Sequence, residues 1–155
     1  MSDDECPWLA PQQHRVWRLW LEVATELPAA LNRQLSSDSD LSLQDFEVLA
    51  HLGEVEDHAM RVVALAERMG WERSRLSHHL TRMEARGLVV RRSVRTDGRG
   101  ALVELTAAGT EAFSRALPGL AEMVGRVVFG GLEPRQLDDF EAVLTRIHEQ
   151  LSRAD

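Results

Sequence analysis

The sequence predicts a mainly α-helical protein with a small β-hairpin, an α+β fold. Apolar residues recur at steps of three and four over long stretches at both ends of the 155-residue chain, which is the period of an amphipathic helix. Near the middle, two short runs rich in valine and leucine, 88–94 and 101–105, flank a turn that contains two glycines. Gly70 and Gly87 each follow a shorter helical pattern, and glycine is favoured at left-handed helix ends.

The N-terminal part is predicted to be a flexible arm, 1–10, followed by a dimerisation helix, 11–36. Pro28 lies inside this helix and is expected to bend or split it, because proline lacks the N–H that the helix needs. Residues 36–40 are serines and aspartates and form the first linker. The apolar face of the helix consists of Val16, Trp20, Val23, Leu27, Leu31 and Leu35.

A compact domain is predicted at 41–106. Ser42 with Asp45 three residues later is an N-cap signal for a helix. Residues 60–62 suggest a short strand, and a brief helix at 63–69 should end at Gly70.

The second half of this domain combines a helix and a hairpin. The helix is expected at 73–86 and is closed by Gly87. The hairpin pairs 88–94 with 101–105, and its tip is the Asp-Gly-Arg-Gly turn at 97–100.

Two C-terminal dimerisation helices are predicted at 107–155. Thr106 should cap the first, Pro118 should bend it, and the glycines at 130–131 should end it. Pro134 suits the first turn of the second helix. The first helix is expected to bury Phe113, Leu117, Leu120, Val124 and Val127, and the second presents a narrow interhelical seam of Leu137, Phe140, Leu144, Ile147 and Leu151.

Positive charge is concentrated in one segment of an acidic chain. Residues 71–99 hold eight arginines against three acids, a net of +5, whereas the whole chain carries −7 and the remainder therefore −12. Such a local basic cluster indicates an anionic partner, and nucleic acid is the leading candidate. The segment 38–57, with seven acids and no arginine, is not expected to face phosphate.

The helix at 73–86 has two distinct faces. Its inward stripe contains Leu76, Leu80 and Met83, and His79 lies at the partly buried edge. A helix with arginines and short polar groups on its outer face suits the DNA major groove, where arginine can bond guanine O6 and N7 together. A merely solvated charged face is the alternative for the helix taken alone. The outer face carries Ser74, His78, Thr81, Arg82 and Ala85, with Arg75 and Arg86 beside them.

Two motifs extend this pattern. Residues 83–91, MEARGLVVR, and residues 97–106, DGRGALVELT, match the pattern L-x-x-x-G-L-V-x-R followed by D-x-R and L-T, with methionine in place of the first leucine. Together with the preceding short helix, the segment 62–109 resembles the DNA-binding core of the MarR (multiple antibiotic resistance regulator) family, a winged helix-turn-helix. Glu72 departs from the family, which often has serine or threonine as the cap there.

The resemblance implies a homodimeric, sequence-specific transcriptional regulator, a repressor on a pseudo-palindromic operator in double-stranded DNA. The terminal helices of two chains would interlock, each recognition helix would enter a major groove, and each wing would reach a minor groove. Arg99 matches the wing residue of the minor groove and Asp97 the residue that orients it; a surface turn with a weak ion pair is the alternative. The remaining residues predicted to bind DNA are Arg73, Ser74, Arg75, Ser77, His78, Thr81, Arg82 and Arg95.

A small aromatic or anionic effector is also implied by the resemblance. Trp17, Trp20 and Trp71 would line its cavity, with His51 and Arg61 as polar partners. The alternative is that these tryptophans are plain core residues.

Other functional classes find little support in the sequence. No glycine-rich phosphate loop, nucleophile elbow or paired catalytic carboxylates are found, so no enzyme and no cofactor are expected. The six histidines lack metal-site spacing, and Cys6 is expected to be a bystander thiol rather than a peroxide sensor. An acidic start and no long apolar run predict a cytoplasmic protein without membrane contact. A winged-helix module for protein–protein interaction without specific DNA binding is the alternative function.

Overall fold

The structure is a computed structural model that describes residues 8–93 and 100–154. It confirms the predicted fold class: helices dominate, and a small antiparallel sheet lies in the middle of the chain. The chain divides into two compact units, Met1–Gly119 and Leu120–Asp155. The elements are α1 (Pro11–Asp38), α2 (Leu43–Gly53), β1 (Ala59–Arg61), α3 (Val62–Met69), α4 (Arg73–Ala85), β2 (Val89–Ser93), β3 (Ala101–Leu105), α5 (Ala107–Val127) and α6 (Pro134–Ser152).

The predicted helix boundaries follow from local capping. The Asp45 N–H donates to Ser42 Oγ at 3.0 Å and the Ser42 N–H donates to Asp45 Oδ2 at 2.9 Å, which confirms the N-cap signal of α2. Gly70 ends α3 at φ 62°, a left-handed conformation that favours glycine. Glu72 precedes α4 without a side-chain capping hydrogen bond, as its replacement of serine or threonine suggests.

The end of α4 is a turn that feeds the sheet. Gly87 has φ 72°, and the Leu88 N–H donates to the Met83 carbonyl at 3.0 Å. Because this bond belongs to the helix end, Leu88 is not part of the strand that was predicted to begin there. Thr106 Oγ1 accepts from the Gly109 N–H at 3.0 Å, so Thr106 caps α5 as expected.

The sheet has three strands in the order β1-β3-β2, all antiparallel. Met60 pairs with Val103 on one side of β3, and Arg91 pairs with Val103 on the other. The short strand predicted at 60–62 is therefore real but begins one residue earlier, and Val62 already opens α3.

The core of the first unit lies where α2, α3, α4 and β3 meet. The inward stripe predicted for α4 is confirmed, since Leu76, Leu80 and Met83 are completely buried. Burying a side chain of this size contributes about 1.5–3 kcal/mol relative to leaving it exposed. Other completely buried residues are Leu35, Val48, Leu49, Leu52, Leu65 and Val103.

The helix α1 runs without interruption across Pro28. Of the two effects expected of Pro28, splitting is wrong: one N–H donor is lost, but the hydrogen bonds of the flanking turns hold the helix together, and bending stays a prediction. Leu35 is the buried residue of α1, whereas the apolar residues of its N-terminal half, Val16, Trp17, Trp20 and Val23, are exposed.

The apolar stripe predicted for α5 is wrong in part. Leu117 and Val127 are exposed, and the buried positions of α5 are Ala112, Ala116, Leu120 and Met123. Small alanines permit a close approach on one face of the helix, which leaves larger apolar side chains on another. The seam predicted on α6 is present as a continuous apolar face, and every one of its residues is exposed in the single chain.

Candidate nucleic-acid interface

The outer face of α4 carries the side chains predicted to contact DNA. Gly70 turns the chain after α3, and the buried stripe of α4 fixes which side of the helix faces solvent. The exposed residues of α4 include Arg73, Ser74, Arg75, Ser77, His78, Thr81 and Arg82. Arg95, Asp97 and Arg99, the predicted wing residues, lie outside the described residues.

The guanidinium of Arg82 is hydrogen-bonded to the buried ring of His79. Its Nη2 lies 2.9 Å from Nδ1 of His79, and Nε2 of the same ring lies 3.0 Å from Oδ1 of Asp45. Both His79 and Asp45 are buried, although the sequence suggested only a partly buried edge for His79 and no role beneath α4 for the acidic segment. The guanidinium of Arg82 is thus tied through one ring to α2.

Arg75 has an aromatic support. Its guanidinium carbon lies 4.0 Å from the centre of the Trp71 ring, a cation–π contact. Trp71 in turn meets the His79 ring edge-on, with centroids 5.5 Å apart and planes at 82°. Trp71, which was predicted to line an effector cavity, therefore lies in the same cluster as the arginines of α4.

These side chains surround a surface cleft of about 650 Å³ between the start of α2 and α4. Three guanidinium groups and two imidazole rings line it, together with the buried carboxylate of Asp45. The lining residues are Ser42, Gln44, Asp45, Trp71, Arg75, His78, His79, Arg82 and Arg86.

Arg86 lies beside the predicted DNA-contacting residues and lines the same cleft, but its guanidinium is engaged within the protein. Its Nη1 donates to Oδ2 of Asp45 at 2.7 Å and its Nη2 donates to the Asp40 carbonyl at 2.6 Å. Burial alone raises the pKa of Asp45, but hydrogen bonds from His79, the Ser42 N–H and Arg86 outweigh it and hold that pKa far below its usual range. Asp45 is therefore ionised, and its ion pair with Arg86 neutralises the charge of that arginine.

A second ion pair joins α4 to β2. Oε1 and Oε2 of Glu84 accept from the backbone N–H and the Nε of Arg91 at 2.9 and 3.0 Å. The backbone hydrogen bond, then the side-chain one, lowers the pKa of Glu84. Arg91 Nη2 also donates to Thr81 Oγ1 at 3.0 Å, while that hydroxyl donates to the Ser77 carbonyl. Thr81, predicted to contact DNA, is thus engaged within the protein.

Arg92 is likewise neutralised, because its Nε donates to Oε2 of Glu104 on β3 at 2.7 Å. Within the described residues, the arginines of this region fall into two classes. Arg86, Arg91 and Arg92 each bind a carboxylate, and Arg73, Arg75 and Arg82 bind none.

The other predicted effector residues are dispersed. Trp17 and Trp20 are exposed on α1, and His51 on α2 is half-buried with its Nδ1 3.9 Å from Glu54 Oε2. Arg61 ends β1, with its guanidinium close to Gly100, the residue before β3. None of these four residues lines the cleft that contains Trp71.

Metal binding, thiol chemistry and membrane insertion are the other possibilities that the sequence raises. Among the described residues, no group of three or more His, Cys, Asp or Glu side chains could hold a metal ion. Cys6 lies outside those residues. None of the helices in 8–93 and 100–154 is long and apolar enough to cross a membrane.

Comparison with known proteins places this geometry in a family. A model of the MarR family matches residues 39–100. No curated protein sequence shows a significant match. The organohalide-sensing regulator RdhR, solved with bound 2,4-dichlorophenol, shares the fold at 20% identity and a TM-score of 0.78, over 94% of this chain and 85% of its own.

Two solved structures from Streptomyces coelicolor are more similar in sequence. Sco3205, a MarR family transcriptional regulator solved in complex with DNA, is 34% identical over 93% of this chain and 91% of its own, with a TM-score of 0.87. AbsC, another MarR family transcriptional regulator, is 34% identical over 96% of this chain and 99% of its own, also with a TM-score of 0.87. At this identity over nearly the full length of both chains, the protein belongs to the MarR family of transcriptional regulators.

Proposed function

We propose that the protein regulates transcription by binding a specific sequence in double-stranded DNA through α4. The observation that carries this proposal is the outer face of α4, where three arginines lack a carboxylate partner among the described residues and two of them are supported from behind. The similar regulator Sco3205 was solved in complex with DNA, which supports DNA as the ligand.

The spacing of Arg75 and Arg82 fits base recognition. Seven residues separate them, so they lie about 10.5 Å apart along the helix axis at ~1.5 Å per residue. With base pairs about 3.4 Å apart, the two guanidinium groups would reach positions roughly three base pairs from each other. Each can bond a guanine in bidentate fashion. Arg73, Ser74, Ser77 and His78 would add phosphate and base-edge contacts nearer the start of the helix.

The hairpin would supply the second contact. Its predicted turn carries Asp97 and Arg99, which match the family's wing motif in sequence, and Arg95 precedes that turn. We assign Arg99 to the minor groove, with Asp97 orienting it and Arg95 close to phosphate.

We further propose that two copies associate through their terminal helices. The apolar residues on α6 and on the N-terminal half of α1 are exposed in the single chain, and soluble monomers seldom leave apolar faces of that extent in water. In this division of labour, 11–36 and 107–155 dimerise, 41–106 binds DNA, and 1–10 is an arm. A two-fold dimer would bind half-sites about one helical turn, roughly 10 bp, apart.

The mass of the protein in solution tests this part of the proposal. Sedimentation should show a dimer, and Leu144→Asp, which places a charge in the apolar face of α6, should shift it toward monomer. A wild-type monomer at micromolar concentration would contradict the assignment of these helices.

Repression and its release by a small aromatic or anionic effector complete the proposal. Its support is the family resemblance and the dichlorophenol-bound structure of a protein with the same fold. Trp17, Trp20, His51, Arg61 and Trp71 remain the candidate effector residues. The proposal includes no enzymatic activity and no cofactor, and it places the protein in the cytoplasm, where a bacterial regulator meets its DNA.

Fluorescence anisotropy tests the DNA-binding function directly. Wild-type protein is titrated into a labelled duplex from upstream of its own gene and, in parallel, into a scrambled duplex at ~0.15 M salt. A duplex selected by the protein from a random-sequence library serves if the upstream region holds no site. Tight, preferential binding supports the proposal, whereas failure to enrich any sequence would favour a winged-helix module for a protein partner.

A further inference from the structure

The buried ring of His79 lies at the centre of the arginine-bearing face. Among the described residues, the buried polar or charged side chains are Asp45 and His79. The His79 ring contacts three neighbours: Arg82 through Nδ1, Asp45 through Nε2, and Trp71 through its edge.

The partners fix where the proton of this ring lies. A guanidinium can only donate hydrogen bonds, so Nδ1 of His79 must accept from Arg82. In the neutral ring the proton is then on Nε2, and this atom lies 3.0 Å from Oδ1 of Asp45. Because Asp45 is ionised and anchored to Ser42 and Arg86, the ring cannot turn without breaking contacts on both sides.

The same ring lies behind both supported arginines. Arg82 bonds to it directly, and Arg75 stacks on Trp71, which meets the ring edge-on. Arg73 makes no comparable contact with any described residue. The guanidinium groups of Arg75 and Arg82 therefore have a defined direction, whereas that of Arg73 can adopt the position of a nearby phosphate.

We propose that His79 is a positioning residue for base recognition, which sets the direction of Arg82 directly and of Arg75 through Trp71. This inference rests on the proposed DNA-binding function of α4. A long, flexible arginine can exchange between a base edge and a nearby phosphate, and phosphate contacts carry no sequence information. Holding the side chain in one direction before binding lowers the ordering cost of the correct contact and leaves wrong contacts unsupported.

A pair of substitutions separates positioning from packing. His79→Phe keeps a ring of similar size against Trp71 but removes the acceptor for Arg82. His79→Gln keeps an acceptor and a donor on one side chain. For both variants, binding is measured to the duplex selected by wild-type protein and to duplexes with single base-pair changes under α4, with the melting temperature and solution mass as checks on folding.

The expected result is a loss of discrimination with little change in nonspecific affinity. His79→Phe should reduce discrimination at the base pair contacted by Arg82 by about 5- to 150-fold, the range that one bidentate arginine contributes, and His79→Gln should restore most of it. Binding to the scrambled duplex and its salt dependence should stay as in wild type, because the number of phosphate contacts is unchanged.

The wild-type curves distinguish the two ways of failing. If wild type discriminates and folded His79→Phe discriminates equally well, His79 has no positioning role. If wild type itself does not discriminate, the proposed function fails and this inference fails with it.

A measurement without any variant keeps the inference testable where His79→Phe does not fold. Nitrogen-15 relaxation of arginine Nε in the DNA-free protein compares Arg82 with Arg73 on the same helix. Arg82 should be markedly more ordered on the picosecond-to-nanosecond timescale. Equal mobility of the two side chains would overturn the proposal.

Discussion

Two groups of arginines on neighbouring surfaces of this protein differ in whether they bind a carboxylate. At the end of α4 and on β2, Arg86, Arg91 and Arg92 face carboxylates at 2.7 to 2.9 Å. On the outer face of α4, Arg73 and Arg75 in the first turn and Arg82 in the last turn have no carboxylate partner among the described residues. The first group connects secondary-structure elements, and the second remains available to an anionic ligand.

The comparison shows that a count of charges along a sequence overstates the positive surface. The basic segment holds eight arginines, but three of them are offset by Asp45, Glu84 and Glu104. Asp45 lies 41 residues before its partner Arg86 in sequence and outside the basic segment altogether. What remains for DNA is a smaller and more directed set of cations.

The largest effect is expected from removing the carboxylate that joins α2 to α4. Asp45→Ala leaves Arg86 and His79 without their acceptor and breaks the N-terminal capping box of α2. Hydrogen bonds to charged groups and a lost cap together predict a decrease of about 2–4 kcal/mol in the free energy of unfolding. Urea denaturation measures it, and a loss below about 1 kcal/mol would mean that this carboxylate is dispensable.

The same residue should govern acid sensitivity. The folded-state pKa of Asp45 is lowered, so its contribution to stability is present above the unfolded value near ~3.9 and is lost as the pH falls through and below that value. Stability of the wild type should therefore decline as the pH drops from about 5. Asp45→Asn should be less stable at neutral pH and show a flatter decline; parallel pH profiles would contradict this account.

Next in size is the contrast between Arg82 and Arg86, which lie one turn apart on α4. Arg82→Ala should weaken binding to the selected duplex by about 1–3 kcal/mol and relax specificity at one base pair, with the fold unchanged. Arg86→Ala should leave specificity intact and lower stability instead, because its charge is spent on Asp45. If Arg86→Ala relaxes specificity as much as Arg82→Ala, the division into two groups is wrong.

A smaller effect is expected at the hairpin tip. Arg99→Ala should reduce DNA affinity by about 1 kcal/mol through lost minor-groove and phosphate contact, and the dimer should remain folded. Anisotropy at ~0.15 M salt measures the change. Unchanged affinity in a normally folded variant would mean that Arg99 does not contact DNA and is part of a surface turn with a weak ion pair.

The smallest effect belongs to Arg92. Its pair with Glu104 is largely exposed, so Arg92→Ala should change stability by about 0–1 kcal/mol and leave base discrimination unaffected. Arg92→Lys is the matched control, since it keeps the charge. A clear loss of DNA affinity in Arg92→Ala alone would show that this arginine leaves Glu104 for phosphate.

Short-range features of this fold were predictable because their causes are local. Ser42 with Asp45 is a cap within one turn, Gly70 and Gly87 supply left-handed conformations, and the stripe of α4 follows from helical period alone. The outer face of α4 was predicted for the same reason.

The distribution of charge was not predictable in the same way. Arg82 and Arg86 are four residues apart and look equivalent on a helical projection, and only the tertiary position of Asp45 distinguishes them. The prediction that Leu117 and Val127 of α5 are buried was wrong for a related reason. An apolar face in a sequence does not reveal whether the surface that covers it belongs to the same chain.

The contact of Arg91 with Glu84 and Thr81 has a consequence for the DNA itself. It fastens β2 to α4 through a backbone and two side-chain hydrogen bonds, so the helix and the base of the hairpin move as one body. Because α4 and β2 are fixed to each other, we expect part of any adjustment between the proposed contacts in the two grooves to fall on the duplex. Sequences that bend or change groove width easily should then bind better, even at base pairs that no side chain touches.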